Sequence, residues 1–293
     1  MKDNILFIIF PGNMTTKKHF KLNYIGTKPS KDYSDNSNIL NNSNFIPELK
    51  KLGMVHFVEP SYYNLPYYHS SFIESKEQYL YKKNINFSID DLDIQKYCDN
   101  VYSQFKDFKG KFVLIGHSRG AKWVYTFSQK YYKKCLLNFI IDGTTLYPDA
   151  IIKGQERDKI NFKNTFNKNL KEITEKDIQL LIKKVKEYDD EANSKLNDYI
   201  HTYISLQFPK NVKKLNVKTI SFKNLYIKTT HGIYNKREFS QDKIIKIIDE
   251  EEYFLKNNPD NYRTIYFVNK THFPHAHPDS RELILNTIKS YLK

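Results

Sequence analysis

Lys111-Phe112-Val113-Leu114-Ile115-Gly116-His117-Ser118-Arg119-Gly120-Ala121 decides the fold. Residues 111 to 115 form an apolar run without alternation, the pattern of a central parallel strand covered on both faces. Ala121 to about Lys134 then has helical spacing. Between them stands a serine with glycines two before and two after it. Small residues there let a strand reverse sharply into a helix, which lifts the Ser118 hydroxyl to the apex of the turn. A serine hydroxyl attacks a carbonyl only when a neighbouring base takes its proton, so it has to project toward both base and substrate. The helix that follows offers backbone N–H groups and a positive dipole end where an oxyanion would develop.

Working outward, Asn4 to Phe10 is a second buried run, ended by Pro11-Gly12. A polar stretch from Tyr24 to Asn44 reads as loop, Ile46 to Leu52 as a helix stopped at Gly53, and Met54 to Val58 as a strand. Tyr62 to Tyr81 is rich in aromatics without a clean period and stays unassigned. Ser88 to Phe105 predicts a helix with Ser88 as N-cap, and Leu137 to Ile141 a further strand ending at Asp142-Gly143. From 151 to 216 the chain reads as helices only, with a capping-box pattern at Thr174-Glu175-Lys176-Asp177. One or two strands follow between Lys218 and Lys228, then a helix from Ser240 to Leu255, a last strand Arg263 to Val268 and a closing helix from Asp279 to Leu292. Strands alternating with helices predict an α/β fold, a mostly parallel sheet with helices on both faces. Residues 1–150 and 217–293 are expected to form the core, with 151–216 inserted as a helical unit.

A base for Ser118 is available near the other end of the chain. His272 lies on the loop after the last strand, at the same carboxyl edge of a parallel sheet as the serine turn, where open α/β sheets place their sites.

These segments together resemble the α/β-hydrolase superfamily. Phe112 to Ala121 is similar to its nucleophile elbow, Thr271-His272-Phe273-Pro274-His275 to the loop bearing its catalytic histidine, and Ile8 to Asn13 to its strand and oxyanion loop. The resemblance implies a minimal sheet of about six strands, with 151–216 as a lid. It implies Ser118 as nucleophile, His272 as general base and then acid, and the backbone N–H groups of Arg119 and Asn13 as oxyanion donors. Pro11-Gly12 stands where the family usually has His-Gly. For the triad acid it implies Asp242, about 30 residues before His272, with Glu238 and Asp142 as alternatives. The implied activity is cleavage of an ester or thioester through an acyl-enzyme, on a small-molecule acyl substrate and with no cofactor. A non-catalytic member of the same fold is the alternative, and a basic nucleic-acid-binding protein stands behind it.

Composition bears on the remaining classes. Lys and Arg number 47 against 33 Asp and Glu, a formal charge of +14. A basic surface concentrates polyanions, yet no nucleic-acid motif is present, and the abundance of Lys, Asn, Ile and Tyr suggests that codon bias supplies part of the excess. No specific nucleic-acid partner is expected, and contact with an anionic membrane surface is the most that charge alone supports. His275-Ala276-His277-Pro278-Asp279 resembles an H-x-H-x-D metal motif, but Ser280 stands where a further histidine is required. The first apolar run is too short for a signal peptide or a bilayer span, and two cysteines, Cys98 and Cys135, form no paired framework. The expectation is a cytoplasmic or intracellular protein.

Overall fold

The computed structural model describes residues 4–12, 17–24, 39–58, 85–143, 147–208, 212–225, 241–268 and 273–293. Six parallel strands form one sheet: β1 (Ile5–Phe10), β4 (Met54–Phe57), β5 (Lys111–His117), β6 (Cys135–Ile141), β7 (Thr219–Leu225) and β8 (Tyr262–Val268), in the order β4-β1-β5-β6-β7-β8. Two short strands between them, β2 (Asn23–Tyr24) and β3 (Ile39–Leu40), make a separate antiparallel pair inside the stretch expected to be loop. Asn23 gains two further partners there, Asn42 at 2.9 Å and the Arg281 guanidinium at 3.0 Å.

The apolar runs are buried for the reason their pattern gave. Alternate residues of β1, β5, β6 and β7 (Phe7 and Ile9, Val113 and Ile115, Phe139 and Ile141, Ile220 and Phe222) share one core with Phe45 and Leu49 of α1 (Phe45–Leu52). Ile284, Leu285 and Ile288, from the closing helix Pro278–Tyr291, join the same core. The intervening residues face the other side. There Phe10 and Phe112 each lie 6.0 Å from Phe127 of the helix Gly120–Lys130. Phe254 of the helix Gln241–Asn257 lies 5.2 Å from Tyr262. A strand with helices over both faces has no solvated side, so its sequence loses the period of two.

In chain order the remaining helices are α2 (Ile94–Gln104), α3 (Gly120–Lys130), α4 (Pro148–Phe166), α5 (Glu175–Lys186), α6 (Asp190–Gln207), α7 (Gln241–Asn257) and α8 (Pro278–Tyr291). Two boundaries differ from the sequence reading. The helix expected from Ser88 is a short 3-10 turn, Ile89–Leu92, capped by Ser88, and Asp93 then starts α2 afresh by accepting from Lys96 N at 2.9 Å. The helix expected to reach Lys134 stops at Lys130, because Lys134 O accepts from Phe112 N at 2.8 Å and Cys135 has to enter the sheet. Among the described residues of the region where one or two strands were expected, there is one, β7.

Two compact units emerge. The sheet and its helices (described residues 4–58, 105–143, 213–225, 241–268 and 273–293) are one; residues 85–104 and 147–208, with Val212, are the other. In the second unit Gln155 Nε2 donates to the carbonyls of Ser205 and Phe208, each at 2.9 Å, locking α4 to the end of α6. Gln207 bridges to α2 by donating to Leu92 O and accepting from Ile94 N, both at 2.8 Å. The capping box at α5 forms as its sequence suggests: Thr174 N donates to Asp177 Oδ2 at 2.9 Å, and Asp177 N returns a bond to Thr174 Oγ1. Among the described residues, no helix is long and apolar enough to cross a membrane. The aromatic stretch Tyr62 to Tyr81 lies outside the described residues.

Candidate active site

Ser118 follows the last residue of β5, a strand flanked by β1 and β6, and leads straight into α3. Its φ is 52°, the left-handed region that a side chain other than glycine rarely adopts. The turn is held on both sides: Ser118 N donates to Ile141 O of β6 at 3.1 Å, and Ser118 O accepts from Ala121 N at 3.2 Å. Ser118 and Arg119 are half-buried, while His117 is fully buried.

The glycines explain why this turn is possible. A Cβ on Gly120 would fall 1.9 Å from Phe10 O, so the first turn of α3 sits directly on the end of β1. A Cβ on Gly116 would meet the backbone of Gly120 and Ala121 at 2.9 Å. Gly12, in the loop after β1, comes equally close, since a Cβ there would lie 2.7 Å from Ser118 Cβ. The segment after β1 therefore runs against the serine, while Asn13 itself lies outside the described residues.

Of the candidate acids, Asp142 is described in full. It is half-buried at the end of β6, with φ 44°; its N–H donates to Phe222 O at 2.7 Å, and its Oδ1 accepts from Asn224 N at 3.2 Å. Asp142 thus ties the carboxyl ends of β6 and β7 together, one strand away from Ser118. Asp242 is the second residue of α7, and its side chain lies outside the described set, as do Glu238 and His272.

Two features went unread in the sequence. The first is a buried cluster of rings. His117 and His275 meet Phe20, and Phe273 meets His19, both from the 3-10 turn Lys17–Lys21. The Phe273 ring stacks on His117 at 4.9 Å and on His19 at 5.5 Å; His275 stacks on Phe20 at 4.5 Å. The interleaving of His and Phe in His19-Phe20 and His272-Phe273-Pro274-His275 was the available signal, but nothing local pairs the two segments. Among the described residues, no three His, Cys, Asp or Glu side chains converge so that they could hold a metal ion.

The second is an ion pair under the sheet. Lys223 of β7 and Glu250 of α7 meet at 3.3 Å, both buried. Burial works against the ammonium charge, but the attraction of Glu250 and of Tyr262, with the Glu250 hydrogen bond, outweighs it and holds Lys223 above the usual lysine range. Desolvation pushes the phenols of Tyr125 and Tyr262 upward in the same region.

The architecture is shared with solved structures. The chain resembles MenH from S. aureus, with a TM-score of 0.54 and 13% identity over 100% of this chain and 96% of that one. It also resembles a probable hydrolytic enzyme from Pseudomonas aeruginosa PAO1, at a TM-score of 0.50 and 11% identity over 99% of this chain and 85% of that one. Identities this low speak for the fold alone. No protein-family model matches the chain, and no curated protein does.

Proposed function

We propose that this chain, which has the α/β-hydrolase fold, is a serine hydrolase that cleaves an ester or thioester through an acyl-enzyme on Ser118. The observation that carries the reading is the backbone of Ser118. A residue held at φ 52° between a strand end and a helix start, with glycines admitting it on three sides, is strained where strain serves to present a side chain.

In this reading His272 takes the proton from Ser118 Oγ as the hydroxyl attacks the carbonyl, then returns it to the leaving group. The backbone N–H groups of Arg119 and Asn13 receive the oxyanion. Water, activated by the same imidazole, releases the acyl group and restores the serine. Asp142 and Asp242 compete to orient the imidazole. Support for Asp142 is its place at the end of β6; support for Asp242 is its spacing from His272. In the same reading the helices of 151–216, inserted in the chain between β6 and β7, correspond to the family's lid. The substrate is a small acyl compound, and the reading calls for no cofactor and no nucleic-acid partner.

A fluorophosphonate probe tests the reading. Wild-type protein should be labelled and Ser118→Ala should not; a well-folded wild type that resists the probe would leave a binding protein of the same fold instead. A series of p-nitrophenyl esters of rising chain length then identifies the acyl group. Asp142→Asn and Asp242→Asn separate the acids, since the true one should lower kcat by about 10⁴-fold and the other should leave it near wild type.

A further inference from the structure

We infer that the stack of His117 on Phe273 is the device that holds nucleophile and base in register, which makes these two rings positioning residues. The inference rests on the assignment of Ser118 and His272 above. His117 is the residue before Ser118, and Phe273 is the residue after His272. Their rings lie 4.9 Å apart and 26° from parallel, within the range for offset stacking. Consecutive Cα atoms are about 3.8 Å apart, so a contact between residues 117 and 273 acts through one peptide bond on each reacting residue.

The surrounding rings make the contact hard to displace. Phe273 also stacks on His19 at 5.5 Å, so the turn after β1 supports it. His117 meets His275 edge-on at 5.3 Å and Phe20 edge-on at 6.1 Å, while Phe20 stacks on His275. Three segments, the 3-10 turn Lys17–Lys21, the end of β5 and the segment from Phe273 to His275, therefore meet through rings next to the serine. Interlocked rings leave little room for sliding because cores are packed as densely as organic crystals. The end of β5 is fixed by its strand partners, His117 pairing with Ile141 of β6, and the ring contact ties Phe273 to that fixed point.

Register matters because a displacement of about 1 Å between reacting groups costs about 10²-fold in rate. The test compares ring-keeping with ring-removing substitutions on p-nitrophenyl acetate and on the fluorophosphonate probe. Phe273→Leu and His117→Gln should lower kcat and the labelling rate about 10- to 100-fold, with KM within about twofold and the far-ultraviolet circular dichroism unchanged. Phe273→Tyr and His117→Phe keep the rings and should stay within about threefold of wild type.

Wild-type kcat in the Leu and Gln variants overturns the inference. So does a loss in His117→Phe as large as in His117→Gln, because the imidazole's polar atoms would then be what counts. If either ring-removing variant fails to fold, His19→Gln at the flank takes its place, with a smaller loss of kcat expected and a wild-type value counting against the stack. Failure of the underlying reading looks different: wild type itself would resist the probe, and the inference would fall with it.

Discussion

Ser118 spends stability for exposure, and the amount can be read. An L-residue in the left-handed region costs about 1–2 kcal/mol, and Ser118 sits there at φ 52°. Ser118→Gly removes the Cβ that carries the strain and should unfold at a higher denaturant concentration than Ser118→Ala, by about 1 kcal/mol after the entropy that glycine adds to the unfolded chain. Urea titration of the two variants gives that difference, and equal midpoints would mean that the turn is relaxed. Gly120→Ala should act in the opposite direction. Its methyl group would meet Phe10 O at 1.9 Å, so the end of β1 and the start of α3 have to separate, at a cost of about 1–3 kcal/mol or more. Loss of probe labelling should accompany it. Ser118 and its glycines were legible in the sequence because the constraint is local, written within five residues. The His117 to Phe273 stack was not, because it joins residues about 150 positions apart and no period marks either one.

Between elements, the pair Lys223 and Glu250 locks α7 onto β7. Removing one partner leaves a buried charge without compensation, so Lys223→Met should cost about 3–5 kcal/mol, and the double change with Glu250→Leu should recover most of it. Thermal unfolding of the single and double variants measures the coupling.

The pH response follows from the same region. Tyr125, Tyr262 and Lys223 all have folded pKa values raised above their ordinary 10.0, 10.0 and 10.5. The folded state then keeps protons that the unfolded state releases. Stability is fully present below about pH 10 and falls as pH rises through the folded values. Denaturation midpoints should be flat near about pH 9 and drop above about pH 10.5, with a shallower drop in Tyr125→Phe. Cys135 at the start of β6 belongs with these groups: burial pushes its thiol up to about 12. It should resist iodoacetamide in the native protein at about pH 8 and react once the chain is unfolded. Element types and order were legible from apolar runs and helical spacing. The polar layer was not, since Lys223 in a strand and Glu250 in a helix look like surface residues until both are seen buried.

On the scale of the whole chain, the formal charge of +14 implies self-repulsion. Screening it should raise the melting temperature modestly between low salt and about 0.15 M, where charges beyond about 8 Å no longer feel one another. A melting curve that falls with salt would point instead to dominant attractive pairs such as Lys289 with Glu48, which meet at 2.9 Å. The sheet order carries a separate consequence, one of timing. β1 lies between β4 and β5, and its first hydrogen-bonded partners are made some 45 and 105 residues after it. The wholly apolar strand Ile5–Phe10 therefore leaves the ribosome long before anything can cover it. Such long-range parallel pairing is slow, and the exposed strand is prone to aggregate meanwhile. The yield of folded chain should therefore depend on keeping that strand from other apolar surfaces until β5, with its serine, has arrived.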